Sequence, residues 1–371
     1  MQGKILTAMG DQSASQNGAL SSDEARMTAP SIDSPYSAPR VGAGGRAALV
    51  AGMLAYLALV AFGWWSVVHL VPDQLTLDLF GRTLSVGNVR NKILGNAALL
   101  FLMLPLALAI EAVVVGWEGS STRQLLVART ASVKSDIVYI LLGQARITDI
   151  AGRVMTLGVA MLSGGLVREF VRAKTGFAVD PSAIPVLLQV PIYFLLYTFL
   201  DYWTHRVDHG RYFWPLHRYH HAAQDMSVLN AGRAHPAAVL SGTFIINMPL
   251  AILGASPAVM VYVNVVVISI GFLIHSKIDS TWGWFGRWVI QSPNHHRLHH
   301  ILDQTVPTGH FAMAPIWDHL FGTWRGDADQ SLVIGVDKPY RHGWFIAHDI
   351  GRDYWDFLRG WFKKSDVPSE Q

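Results

Sequence analysis

Only 15% of the 371 residues are charged and 51% are hydrophobic, against roughly 25% charge in an average soluble domain, so an integral membrane protein is expected. The absence of cysteine excludes disulfides, thiolate zinc sites and thiolate iron–sulfur clusters, and leaves histidine and carboxylate as the strong metal ligands. A net charge of +3 suits loops beside anionic lipid head groups and gives no argument for nucleic acid.

Residues 1–45 are rich in Ser, Ala, Asp, Gly and Pro and carry no apolar run, so a disordered tail is expected. Apolar runs follow at 47–70 and at 93–117, the second interrupted only by Glu111. Residues 150–167 form a weaker candidate that could span, re-enter or lie at the interface. The run from Ala183 to Trp203 is a strong candidate span. Residues 237–275 are long enough for two crossings, and Gly254 and Pro257 mark a turn between them. Such a hairpin returns the chain to its starting side, so histidines before and after it face the same side of the membrane. The excess of Lys and Arg on that side predicts a cytoplasmic location. Abundant Ala, Gly and Arg suggest a GC-rich genome, so a multi-pass protein of a bacterial inner membrane is expected. Residues 46–182 read as membrane helices with connectors, 183–325 as a catalytic region and 326–371 as a C-terminal cytoplasmic tail.

Three histidine clusters stand just beyond these runs. In DYWTHRVDH, His205 and His209 are four residues apart on one helical face. WPLHRYHH carries His217, His220 and His221 after Pro215, which suits a helix start. SPNHHRLHH repeats that triplet as His296, His299 and His300, with Ser292 as N-cap and Pro293 in the first turn. Each triplet is expected to share one face. Eight imidazoles exceed the needs of one ion, so two metals are implied.

HRVDH, HRYHH and HRLHH resemble the HxxxH, HxxHH and HxxHH boxes of the fatty acid hydroxylase and sterol desaturase superfamily. Asp201, Tyr202 and Trp203 before the first box, Asn230 and His235-Pro236 after the second, and WDHLFGTW from Trp317 extend the resemblance from Pro185 to Trp324. It implies an all-α polytopic membrane bundle with a cytoplasmic helical cap that holds two iron ions on the eight histidines. Dioxygen would be the co-substrate, a membrane lipid the substrate, and a ferredoxin, cytochrome or reductase the electron donor. Hydroxylation of a fatty acyl, sterol, hopanoid, carotenoid or ornithine-type lipid is the expected reaction. Desaturation at the same site is the alternative, and a polytopic metal transporter is disfavoured because the ligands lie beyond the span ends.

The same resemblance suggests His275, at the end of the hairpin, as a ninth ligand. Asp318 and Asp201 are candidates to orient ligand rings, with Asn230 and His235 behind the site, whereas Asp208 is expected to be solvated. Two departures stand out. Gly309-His310-Phe311 replaces the Asn-Tyr-Gly-like element common in the family, and His295 lies outside the box pattern, where a supporting or surface position is expected. His69, His342 and His348 belong to no cluster.

Overall fold

The computed structural model describes residues 43–79, 82–86, 89–90, 93–94, 99–144, 159–238, 241–255, 257–302, 309–328 and 332–362. The expected tail up to residue 42 and residues 150–158 of the weak candidate span lie outside the described residues. The described chain is helical apart from one antiparallel strand pair, β1 (Leu75–Leu79) with β2 (Arg82–Val86). In chain order the α-helices are α1 (Ala43–Leu70), α2 (Leu104–Val115), α3 (Ser121–Leu126), α4 (Ala131–Gln144), α5 (Val159–Thr175), α6 (Val186–Asp208) and α7 (Trp214–His221). They continue as α8 (Met248–Ile252), α9 (Pro257–Ile274), α10 (Gly283–Trp288), α11 (Pro293–His299), α12 (Ile316–Leu320) and α13 (Ala347–Phe362).

Two described segments, Val50–Leu70 and Val186–Asp208, are long and apolar enough to cross a bilayer, while Phe101–Val115 and Tyr262–Ile274 are apolar but shorter. Large apolar side chains stand exposed along these helices, among them Leu59 and Phe62 on α1, Leu187 and Leu188 on α6, and Tyr262 and Val265 on α9. Faces of that kind are excluded from water and mark contact with lipid, so the protein is membrane-associated.

The long helices meet where small and branched residues let them approach. Tyr193, Leu250, Val259 and Val263 form a core joining α6, α8 and α9, and Leu104, Leu108, Val133, Val228 and Phe272 form a second joining α2, α4 and α9. The turn expected between residues 237 and 275 falls at Gly254, where φ is +84° and a Cβ would stand 2.7 Å from the Val179 carbonyl oxygen. Only glycine is free of strain there. Glu111, the one acid of its apolar run, is fully buried and structural. It accepts from the Ser121 amide (2.5 Å) and hydroxyl (2.8 Å) and from the Lys277 amide (2.7 Å), tying α2 to α3 and to the segment after α9.

Residues expected to form a C-terminal tail instead include a helix that packs on α7. α13 lies on α7 through an inward face that carries acids, Asp349 and Asp353, beside Phe357. Arg218 of α7 donates to Asp353 from Nε (3.1 Å) and Nη2 (2.6 Å) and also pairs with Asp356. The pairing hides charge that a hydropathy reading assigns to solvent.

Candidate metal centre

Local helix chemistry delivers each histidine. His205 lies in the last turn of α6 and His209 caps that helix. Pro215 sits in the first turn of α7, which then presents His217, His220 and His221. The Ser292 hydroxyl caps α11 by accepting from the His295 amide (3.3 Å), and His296, His299 and His300 follow. His275 stands one residue beyond α9.

The structure brings all nine together, but as two groups. In one, His205, His209, His217, His221 and His299 each place a ring nitrogen within 4.8 Å of the others; His220, His275, His296 and His300 do the same in the second. Each box triplet is therefore split, contrary to the expectation of one shared face. Its i,i+4 pair stays together and the intervening i+3 histidine crosses to the other group. Residues 220 and 221, or 299 and 300, are adjacent, and adjacent residues on a helix point about 100° apart. One short helix can thus serve two sites.

The ring nitrogens divide into tied and open. His205 Nδ1 donates to the Phe311 carbonyl (2.7 Å), His299 Nδ1 to Gly309 (2.7 Å), His220 Nδ1 to Arg233 (2.9 Å) and His275 Nδ1 to Gly271 (2.7 Å). His296 Nδ1 donates to Gln291 Oε1 (2.9 Å). A carbonyl oxygen only accepts, so these rings hold their proton on Nδ1 and present a bare lone pair at Nε2. Yet His275 Nε2 faces the Nε2 atoms of His220 (3.2 Å) and His296 (2.9 Å). In the first group, His209 Nε2 faces those of His221 (3.2 Å) and His299 (3.1 Å), and His205 faces His217 at 3.1 Å.

Protonation does not relieve this crowding. Burial, reinforced by the neighbouring imidazoles, holds His217, His220, His221, His296, His299 and His300 well below the usual imidazole range. A cation facing the lone pairs does relieve it. Two nitrogens bound at right angles, each ~2.1 Å from one ion, stand ~3.0 Å apart, close to the separations observed. The donor set therefore fits one metal ion per group.

Residues 190–323 match the fatty acid hydroxylase family. This stretch is similar to a fatty acid hydroxylase domain. The chain is similar to ornithine lipid hydroxylase OlsE of Rhizobium tropici, 28% identical over 212 residues, which cover 54% of this chain and 63% of that protein. It is also similar to alkylglycerol monooxygenase of Xenopus tropicalis, 28% identical over 149 residues, covering 39% of this chain and 32% of that protein. The chain thus spans less than two thirds of the length of either relative. No solved structure matches it.

Inside the matched region, the residues expected behind the ligands act less directly than predicted. Asp318 touches no ligand ring; it accepts from the amides of Phe311 (2.9 Å) and Ala312 (3.0 Å) and from the Thr323 hydroxyl (2.7 Å), so it holds the strip whose carbonyls hold His205 and His299. Burial still pushes its carboxyl up to about 6, against the three hydrogen bonds. Asn230 Nδ2 donates to Asp136 (3.0 Å), and His235 Nε2 donates to the Ile350 carbonyl (2.9 Å). Asp201 lines a cavity, and so does Asp208, which is buried and not solvated as expected. His295 is fully buried, with Nδ1 near the Gly286 carbonyl (3.1 Å) and Nε2 near Asp327 (2.9 Å). His310 is buried with φ +51°. Gln291 was missed by the sequence reading, because an isolated glutamine five residues before a box carries no motif.

The cavity has a volume of about 570 Å³. His205, His217, His220, His275 and His296 form one part of its wall, and Ile246, Val267, Ile268, Phe272 and Ile274 form an apolar part. Histidines of both groups thus border one cavity.

Proposed function

We propose that the protein is a multi-pass, membrane-bound, dioxygen-dependent lipid hydroxylase with two iron ions. His205, His209, His217, His221 and His299 hold one ion, and His220, His275, His296 and His300 hold the other. The observation that carries this reading is the set of open Nε2 atoms whose Nδ1 protons are tied to carbonyls, bordering an apolar cavity. Iron bound there supplies the dioxygen activation that attack on an unactivated carbon–hydrogen bond requires. The five imidazole donors of the first group exceed the four that a tetrahedral zinc site would use.

The chain's own residues do the positioning. Ile246, Val267 and Phe272 exclude water and seat a hydrocarbon segment beside the histidines. Asp201 and Asp208 place carboxyls on the same cavity wall, which suits a lipid whose head group bears an amine, as in the ornithine lipids named for one relative. Electrons come from a separate ferredoxin, cytochrome or reductase. The catalytic region is 183–325, with the histidines on the cytoplasmic side of a bacterial inner membrane and 46–182 as N-terminal membrane helices with their connectors.

The test uses the full-length protein in native membranes with labelled dioxygen and an electron donor. Two irons per chain and label in a hydroxylated lipid are expected, and His220→Ala or His299→Ala abolishes the product. Full zinc occupancy without dioxygen consumption, or turnover retained in either variant, would overturn the assignment. Loss of hydrogen without gain of label would reassign the reaction as desaturation.

A further inference from the structure

Four of the five tied histidines use a backbone carbonyl; His296 alone uses a side chain, that of Gln291. Gln291 is 2% exposed and sits at the cavity wall, and its backbone amide and both side-chain polar atoms are engaged. Its amide donates to the Met313 carbonyl (2.9 Å), Nε2 donates to the His310 carbonyl (2.8 Å), and Oε1 accepts from His296 Nδ1 (2.9 Å). The side-chain amide has only one workable orientation. Turned over, its oxygen would oppose the His310 carbonyl and its NH2 would demand that His296 Nδ1 accept.

We infer that Gln291 is a positioning residue that fixes His296 in the Nδ1–H form and ties this second-group ligand to the strip of residues 309–313. The Gly309 and Phe311 carbonyls of the same strip orient His299 and His205 of the first group. One strip thus registers the two groups against each other. Asp318 and the Thr323 carbonyl, which accepts from the His310 amide (3.1 Å), hold the strip independently of Gln291. Losing the Gln291 side chain therefore acts on the second group and spares the first. The inference rests on the two-ion reading of the centre.

The experiment titrates metal-free, full-length protein in detergent with cobalt(II) under nitrogen and follows the visible bands. Wild type takes up two equivalents. In Gln291→Met, of similar length but without an acceptor for the Nδ1 proton, the first equivalent binds as in wild type. The second weakens by about 10- to 100-fold, the usual effect of losing a hydrogen bond behind a metal-bound histidine. Gln291→Glu keeps the acceptor and restores the second equivalent to within a few-fold, with its bands shifted by the added charge. Wild-type affinity for both equivalents in Gln291→Met overturns the inference. Joint loss of both equivalents in Gln291→Met, or equal loss in Met and Glu variants, also overturns it and leaves a role in folding alone. Wild type that binds no second equivalent overturns the two-ion reading itself, and the inference with it.

Discussion

Gly309 shows how narrowly a single position is determined. Its φ is +48°, the next residue His310 also lies at +51°, and a Cβ on Gly309 would stand 2.2 Å from the Thr323 carbonyl oxygen. Two successive left-handed residues turn the strip so that its carbonyls meet the rings of α6 and α11. Gly309→Ala combines backbone strain with a clash against rigid main chain, so a loss of at least ~2 kcal/mol is expected, seen as a lower melting temperature and weaker metal uptake. The histidines themselves were legible from spacing, since three boxes on helical intervals leave few other uses. Their carbonyl partners were not, because a backbone acceptor has no residue signature.

At the scale of the element, α7 is eight residues long and could not hold three open imidazoles by itself. α13 supports it. Arg218, between His217 and His220 in sequence, is held by Asp353, which also accepts from the Tyr340 hydroxyl (2.5 Å). The Asp353 side chain is fully buried and that of Asp356 is 27% exposed. Asp353→Asn leaves a buried guanidinium short of its partner and should cost ~3–5 kcal/mol, with faster proteolysis of α13 under native conditions; Asp356→Asn should cost clearly less. The sequence reading took this helix for a tail because its acids face inward. Arg218 brought opposite Asp353, and the Arg341 and His342 amides that donate to Asp349, make that burial favourable.

For the whole molecule, the crowded rings couple stability to pH. In the folded metal-free chain, seven histidines, His209, His217, His220, His221, His296, His299 and His300, are held well below their ordinary value of 6.5 by burial. The unfolded chain takes up those protons near pH 6.5 and the folded chain does not. Below that pH the unfolded state binds more protons, so stability rises with pH and falls on acidification. The melting temperature of metal-free protein should drop steeply between about pH 7 and pH 5.5; a flat profile would mean the rings are not buried together. Metal occupancy should narrow the drop, because bound metal holds the rings deprotonated.

The amino-acid sequence alone carried the membrane character, the histidine clusters and the family resemblance, since hydropathy, residue type and short helical spacing are local properties. The extent of the resemblance, Pro185 to Trp324, agrees with the matched residues 190–323 to within five positions at either end. Tertiary structure decided how nine histidines divide into two groups, that Gln291 and a left-handed strip hydrogen-bond their rings, that Asp208 faces a cavity, and that α13 packs on α7. Those outcomes depend on which carbonyl, carboxylate or guanidinium arrives from a distant segment, and spacing along one chain does not encode that arrival.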